Sequence, residues 1–480
     1  MKTKFNILIL AASLTCMSWC AVADAQTIEA GGWHSLVVCS DSTVKAFGEN
    51  ATGELGDGTT TDSNVPVTAI GLSSIVSVSC GGDQLEAHSL ALKSDGTVWS
   101  WGSNIYGGLG NGTTTNTMVP GQVLVMTGAI AISAGGWHSA ALKSDSTVWS
   151  WGWNTDGQIG DGTTTDRVVP VIVPGLTGVK AISAGTYHTL ALKSDGTVWA
   201  WGDNVSGQIG DGSTTDRTSP VQVSGLTNVV SISGGRFFSL AVKSDGTVWA
   251  WGENLYGQLG DGSTTDRHTP VQVSGLTGII PESISAGAFH CMVAKTDSTL
   301  WSWGRNTYGN LSDGTTVNRS TPVLVSGGTT AAGTSGGTNF TLLYKSDGTF
   351  WGCGRNLSGQ LGDGTFLQRN TLVQSTGVCS IMQPVGIPTF DPSYSNSITA
   401  YPNPSSTGIF TIELQNENGQ LAGGTIEVYN MLGEIAYQSA IDLQTGNANM
   451  TVDLSNQPNG IYFLAVTAGG HTSYQKLVKH

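Results

Sequence analysis

Five histidines stand at one recurring place in the chain: His34, His88, His138, His188 and His290, with Phe238 and Phe340 at the same place in two further copies. Converging imidazoles would make a zinc site. Ligands some 50 residues apart, at a place that twice accepts phenylalanine, point instead to packing and hydrogen bonding. No metal is expected. Asp57, Asp161, Asp211, Asp261, Asp313 and Asp363 each precede a glycine, and Asn111 stands in for them once. A calcium loop of the EF-hand kind needs D-x-D-x-D-G followed by a glutamate, which is missing here. These are expected to be turns. Arg167, Arg217, Arg267, Arg319 and Arg369 also recur, and are expected to pair with loop acids or to lie on aromatic faces. No G-x-S-x-G, HExxH or phosphate-binding loop is present, and the serines and histidines recur by duplication. No catalytic group and no cofactor are expected.

Aromatic residues carry the sharper signal. The residue before the histidine place is Trp33, Trp137, Tyr187, Phe237 or Phe289, but Ala87 and Asn339 in the remaining copies. One rim of such rings would be a surface for a protein or glycan, since buried aromatics dominate interface energies. The bland reading is that the rings pack over turn glycines. One copy also inserts Asp83, Gln84, Leu85 and Glu86 in this turn, and another adds about two residues near Pro281 and Glu282. Insertions on a monotonous rim are where specificity is expected.

Repetition defines the elements that position these residues. The motif Trp-Gly-x-Asn, or its equivalent, places asparagines at Asn50, Asn104, Asn154, Asn204, Asn254, Asn306 and Asn356. Seven copies run from about Gln26 to Cys379. In the fourth copy, Val179 to Ser183 and His188 to Leu192 read as strands. Ser194-Asp195-Gly196 reads as a type I′ hairpin turn, and Thr197 to Trp201 as a strand with both tryptophans on one face. A glycine-rich loop, Gly207 to Gly212, leads to a fourth strand at Pro220 to Val223. A four-stranded unit of this size cannot stand alone. Stacking would bury the pairs Trp99/Trp101, Trp149/Trp151, Trp199/Trp201, Trp249/Trp251 and Trp301/Trp303, each indole contributing about 4–6 kcal/mol gross. The expected fold is all-β: a seven-bladed β-propeller of four-stranded blades, followed by a small C-terminal β-sandwich. Val378 to Ile381 resembles the missing half of the first strand near Thr27 to Gly31, so the two ends are expected to meet in one blade.

The segments His88 to Leu92, Ser94 to Trp99 and Trp251 to Gly262 together resemble the regulator of chromosome condensation repeat, over roughly three quarters of the chain. That resemblance implies seven blades. Its eukaryotic namesake exchanges nucleotide on a nuclear GTPase and touches chromatin, partners that an exported acidic chain does not meet. Secreted bacterial propellers that inhibit β-lactamases through one face of the ring are a nearer likeness in habitat. Fold alone assigns neither role.

Of 480 residues, Lys and Arg number 20 and Asp and Glu 34, for a net charge of −14, and only 11% are charged. With no cationic cluster, a nucleic-acid partner is not expected. Lys2 and Lys4, the apolar run Ile7 to Leu14 and Ala23-Asp24-Ala25 have the layout of a signal peptide, residues 1–25, with no lipid anchor. No membrane-spanning segment is expected after its removal. Cys39, Cys80, Cys291, Cys353 and Cys379 then remain, an odd and widely spaced set. They read as small hydrophobes within strands, with one adventitious pair left open.

Pro384, Pro388 and Pro392 mark a linker over residues 380–397, after a propeller spanning residues 26–379. Residues 398–480 alternate as short strands. Tyr401, Pro402, Asn403 and Pro404 at the start, then Gly460 and Tyr462, and Lys479 at the end, resemble the type A sorting domain of the type IX secretion system. Such domains direct passage across the outer membrane of Bacteroidota and are usually removed. A carbohydrate-binding β-sandwich is the alternative. The expectation is a monomeric, non-catalytic propeller, secreted or attached to the outer-membrane surface, that meets the type IX machinery and an extracellular protein or glycan. A protein inhibitor of an extracellular enzyme is the nearest alternative; a hydrolase or lyase lacks its acid–base cluster.

Overall fold

A computed structural model describes residues 28–82 and 86–379, then 396–401, 403, 405–416, 424–429, 435–441, 448–457, 460–468 and 471–479. The expected signal peptide, most of the linker, Asp83, Gln84, Leu85, Pro402 and Pro404 lie outside the described residues. Two compact units divide between Pro384 and Val385.

The first unit is a seven-bladed β-propeller. Seven antiparallel sheets of four strands follow one another, each in simple sequence order. The fourth blade is representative, with strands Val179–Ala184, His188–Lys193, Val198–Gly202 and Arg217–Gln222. Its hairpin differs from the expected type I′ turn. Gly196 N–H donates to Lys193 O at 2.9 Å, and Gly196 has φ +79°. Asp195 is not among the positive-φ residues; its Oδ1 accepts from the N–H and hydroxyl of Thr197. The turn is therefore type I followed by a bulge residue in the left-handed region. Ser42, Ser146 and Ser298 take that residue's place in three copies, with φ of 61–66°.

The tryptophan pairs also divide. Trp101, Trp151, Trp201, Trp251 and Trp303 are wholly buried. Each packs on the preceding blade; Trp201 joins Leu142, Val148 and Val173 of the third blade in one cluster. A Cβ on Gly160 would lie 2.6 Å from the Trp201 indole nitrogen, so that loop position must be glycine. The first tryptophan of each pair stays half-buried, with a lysine ammonium over its ring, as Lys93 lies 4.1 Å from the Trp99 centroid. Both indoles face one way, but the neighbouring blade covers only the inner one.

Hydrogen bonds close the circle. Ser79 Oγ accepts from Ala134 N–H, and the same contact recurs blade by blade until Ser335 Oγ accepts from Ala30 N–H at 3.0 Å. At the seam between blades seven and one, Thr338 N–H donates to Gly31 O, Gly364 N–H to Asn64 O, and Ser35 Oγ to Gln360 O. The two chain ends do meet there: Val378 and Cys379 pack on Ile28, Ala30 and Val37. The first blade nevertheless takes all four strands from the amino-terminal side, beginning with the short Ile28–Ala30. Ser380 and Ile381 lie outside the described residues. Cys39 and Cys379 form a disulfide across the seam, 340 residues apart in sequence, while Cys80, Cys291 and Cys353 are free and buried. The small-hydrophobe reading fits those three. It is corrected for Cys39 and Cys379, whose bond ties blade seven to blade one.

The second unit is a β-sandwich. Strands Asn396–Tyr401, Ile409–Asn416 and Ala448–Asp453 form one sheet. Ile435–Ile441, Gly424–Tyr429, Gly460–Ala468 and His471–Lys479 form the other. Their inward faces share Phe410, Ile412, Val428, Val452, Leu464 and Leu477. Among the described residues no helix is long and apolar enough to cross a membrane.

The clasp has a measurable consequence. Replacing Cys39 and Cys379 by serine should lower propeller stability by about 2–4 kcal/mol. Denaturant unfolding with and without reductant checks it: reductant should destabilise the wild type and leave the double variant unchanged.

Candidate functional site

The histidines serve the joints between blades. His34 Nε2 lies 3.0 Å from Ser89 Oγ, His88 reaches Ser139, His138 reaches Thr189, His188 reaches Ser239 and His290 reaches Thr341. Each of those hydroxyls spends its proton on a carbonyl of the preceding blade, as Ser89 does on Glu54 O at 2.9 Å. The imidazole must therefore donate through Nε2–H, which leaves Nδ1 as a bare acceptor. In blade five, where Phe238 replaces histidine, the next blade carries Cys291 in place of the hydroxyl. The same carbonyls also accept the buried indoles, as Gln158 O accepts from Trp201 Nε1 at 2.9 Å. Burial pushes these imidazoles from 6.5 down to about 3 for His34, His138 and His188, and to about 4 for His88 and His290.

The loop acids are likewise occupied. Asp161 Oδ1 accepts from the N–H and hydroxyl of Thr163, and its other oxygen takes Arg167. Burial would raise this carboxyl, but those hydrogen bonds hold it below its ordinary value. All five recurring arginines are so paired, at 2.5–2.8 Å. The motif asparagine knots the same loop: Asn154 Nδ2 reaches Thr163 O and Thr165 O, and its Oδ1 accepts from Ile159 N–H. Among the described residues no group of His, Cys, Asp or Glu is arranged to hold a metal.

One end of the ring differs. Antiparallel order puts the turn between strands one and two, and the loop between strands three and four, on the same face of every blade. Trp33, Trp137, Tyr187 and Phe237 are half-buried there, and Phe289 is 8% exposed. Trp137 lies 5.6 Å from Tyr187, which stacks on Phe237 at 4.7 Å and 7°. Trp33 stands apart from this run, under the Arg355 guanidinium at 3.7 Å. Glu86 is half-buried, the one described member of the inserted turn.

Sequence reasoning missed the second row on this face. The variable residue of Trp-Gly-x-Asn bonds through its N–H to the carbonyl of the rim residue, as Trp153 does to Trp137 and Arg305 to Phe289. That row reads Glu49, Ser103, Trp153, Asp203, Glu253, Arg305 and Arg355. Trp153 lies 5.3 Å from Trp137 and 5.8 Å from Tyr187, and Tyr106 adjoins both tryptophans. Tyr256 meets Phe289 edge-on at 5.7 Å, and Arg236 lies 5.3 Å from both Phe237 and Phe289. Aromatic rings thus run from blade two to blade six, with guanidiniums joining them on blades five to seven. The signal was the x of the motif itself, the least repetitive letter in an otherwise repetitive unit.

Acids share the row. Gln208 Nε2 donates to Asp203 and Gln258 Nε2 to Glu253, but in blade one both positions are carboxyls, Glu49 and Glu54. Burial, then Glu54 and Asp62, push Glu49 up to about 8 against the pull of Arg355. Burial, then Asp203 and Asp216, raise Asp156 to about 6. In blade two the pair is Ser103 and Gly108, leaving a recess beside Tyr106 and Trp137 with room for little more than a water molecule.

Residues 13–281, more than half of the chain, match the RCC1-like domain. The chain belongs to that family. Residues 282–310 and 297–344 match the regulator of chromosome condensation (RCC1) repeat. Residues 399–480 match the secretion system C-terminal sorting domain. The RCC1-like region is similar to the human E3 ubiquitin-protein ligase HERC2, 35% identical over 103 residues, which is 21% of this chain and 2% of that protein. It is also similar to the ultraviolet-B receptor UVR8 of Arabidopsis thaliana, 35% identical over 113 residues, or 23% of this chain and 25% of that one. Each alignment thus spans only a minor part of the relative. Two solved structures share the fold. Human WBSCR16 has a TM-score of 0.64 at 22% identity, covering 71% of this chain and 96% of that one. Prp20p of Saccharomyces cerevisiae, described with its binding to Gsp1p and histones, has 0.62 at 20%, covering 74% and 87%.

In the sorting domain, Lys479 is buried and its Nζ donates to Leu454 O, Ser455 O and Gln457 O at 2.5–3.1 Å. Tyr462 is in the core and Gly460 opens its strand. Tyr401 is exposed, with its hydroxyl donating to Glu413, and Asn403 is half-buried. Lys479 and Tyr462 thus serve the sandwich itself, while Tyr401 stays on its surface.

The buried histidines fix how the RCC1-like propeller responds to acid. An unfolded chain protonates them near 6.5, whereas the folded chain resists until about 3–4. The histidine contribution to stability is thus complete above 6.5 and falls as pH drops, by roughly 1.4 kcal/mol per pH unit per histidine, against a smaller opposite effect of the Glu29 and Glu49 carboxyls, which burial raises. Melting temperature should decline steeply between pH 6.5 and 4.5, and more gently in His188→Phe, measured by calorimetry across that range.

Proposed function

We propose that the RCC1-like propeller is a non-catalytic capture module working outside the cell or on its outer-membrane surface, delivered there by the type IX sorting domain after loss of the signal peptide. Its aromatic face takes a protein or glycan partner. The continuous run of rings and guanidiniums on one face supports this reading, because Trp, Tyr and Arg are the residues that dominate interface energies. Val205, Leu255 and Leu357 add exposed apolar side chains in the loops of the same face, at 60–65% exposure. The Ser-His contacts offer no nucleophile: each hydroxyl is buried and committed to a carbonyl, and each imidazole is a donor. The composition of the face favours a protein over a glycan. An extracellular enzyme inhibited by the face is one form of the same reading.

Full-length protein should retain a partner from the extracellular fraction of the producing bacterium. The triple variant Trp33→Ala, Trp137→Ala, Tyr187→Ala should lose at least about tenfold of that capture, equal to about 1.4 kcal/mol. Unchanged capture by a variant that melts normally would move the binding surface elsewhere. Turnover in a glycan-cleavage screen would overturn the non-catalytic assignment, and slowing of a β-lactamase panel would select the inhibitor form.

A further inference from the structure

Eight arginines occur in the chain. Arg167, Arg217, Arg267, Arg319 and Arg369 are already neutralised by aspartates in the outer loops. The other three, Arg236, Arg305 and Arg355, fall on three consecutive blades and on the aromatic face. The Arg305 guanidinium carbon lies 5.0 Å from the Tyr256 centroid, 5.1 Å from Phe289 and 6.0 Å from Tyr308. Arg236 approaches the same Phe289 ring at 5.3 Å, so this ring links two guanidiniums. Neither Arg305 nor Arg355 belongs to an ion pair among the described residues. Arg305 Nε has only a 3.3 Å bond to Thr307 Oγ1, and Arg355 Nη1 is buried with no partner.

In a chain of net charge −14 that pairs five of its eight arginines with aspartates, Arg305 and Arg355 on adjacent blades stand without an ion pair among the described residues. Holding a half-buried guanidinium with an unspent donor costs stability. A ligand carboxylate against the exposed part of either half-buried guanidinium supplies the counter-charge that the fold does not. Guanidinium matches carboxylate geometry bidentately, and its aromatic bed keeps the plane fixed and poorly hydrated. We propose that the Arg305–Arg355 sector of this face recognises a carboxylate-bearing segment of a partner protein. This rests on the capture reading above and names the chemistry of the partner. A protein segment is favoured over an acidic polysaccharide because Trp33, Tyr256, Tyr308 and Phe289 surround the two arginines, and such rings beside Arg are the composition of protein hot spots. Glu49, the carboxyl facing Arg355, forms no ion pair with it among the described residues, and Glu49 Oε2 is itself buried without a hydrogen-bond partner. It therefore does not satisfy the arginine from within.

The test uses the full chain and a fluorescein-labelled peptide with four glutamates set between tyrosines, its all-glutamine counterpart, and polygalacturonate. At low ionic strength the glutamate peptide should bind at least tenfold more tightly than the glutamine one, and salt should erase the difference. Arg305→Gln with Arg355→Gln should abolish the preference, and the two lysine variants should restore part of it. Lys243→Gln, at a strand two–three hairpin on the opposite face, should change nothing. Equal affinity for both peptides, or a preference that survives the double variant, overturns the proposal. So does tighter binding of polygalacturonate, which assigns the sector to an acidic glycan. Capture of the extracellular partner separates the two levels. If the ring variants lose it and the double arginine variant keeps it, the carboxylate assignment fails and the capture face stands; if both variants keep it, both fail.

Discussion

Everything in the propeller depends on one repeated hydrogen-bond node at the joint between blades. A loop carbonyl, such as that of Gln158, has two lone pairs, and the next blade fills both with the indole N–H of Trp201 and the hydroxyl of Thr189. The histidine of the carbonyl's own blade, His138, then donates to that hydroxyl. No blade can satisfy these groups by itself, and a buried carbonyl or indole left unpaired costs about 1–3 kcal/mol. The node therefore makes each sheet conditional on its neighbour. Burying the indole supplies the apolar driving force, and the node fixes the angle at which that burial happens. It also spends the groups that looked chemical: a histidine committed as donor and a serine committed to a carbonyl are not available for catalysis or metal.

Substitutions at the node keep its logic. Where Phe238 cannot donate, Cys291 needs no donor, and its thiol still reaches Gln258 O at 3.2 Å. Where Phe47 replaces the buried tryptophan at the seam, Ser35 alone fills Gln360 O and the ring lies over Gly362. The seam is thus the joint with the fewest polar ties of this kind, and it is the one that carries the disulfide.

Fold and face were not equally legible in the sequence. A 50-residue period with alternating apolar residues reports strand number and order directly, because each blade must solve the same packing problem. Local choices within that pattern were harder. The serines at 42, 146 and 298 show that the hairpin tolerates one residue in the left-handed region and does not require two, so Asp-Gly alone misidentified the turn. The pairing of Cys39 with Cys379 was invisible to spacing because ring closure, not sequence distance, brings them together. On the face, the residue before each histidine stood out because it was aromatic. The x of Trp-Gly-x-Asn was hidden because it is glutamate, serine, tryptophan, aspartate or arginine in turn, with no common chemistry until the N–H bond to the rim carbonyl shows that it shares the surface.

That division between constant and variable positions carries the functional logic. Residues that build nodes and loop knots scarcely vary among seven copies, since each error would weaken a joint. Residues on the face vary freely, and they vary as a set: acids occur on blades one to five, arginines on blades five to seven, and rings run between. A closed ring lets such variation accumulate because the hydrogen-bond nodes and loop knots that hold the joints are built from other positions. The seam itself is complete by Cys379, with its hydrogen bonds, its apolar cluster and its disulfide all drawn from residues 28–379. A disulfide of this kind persists in oxidising compartments, which agrees with a chain whose last 82 residues, 399–480, match a secretion sorting domain.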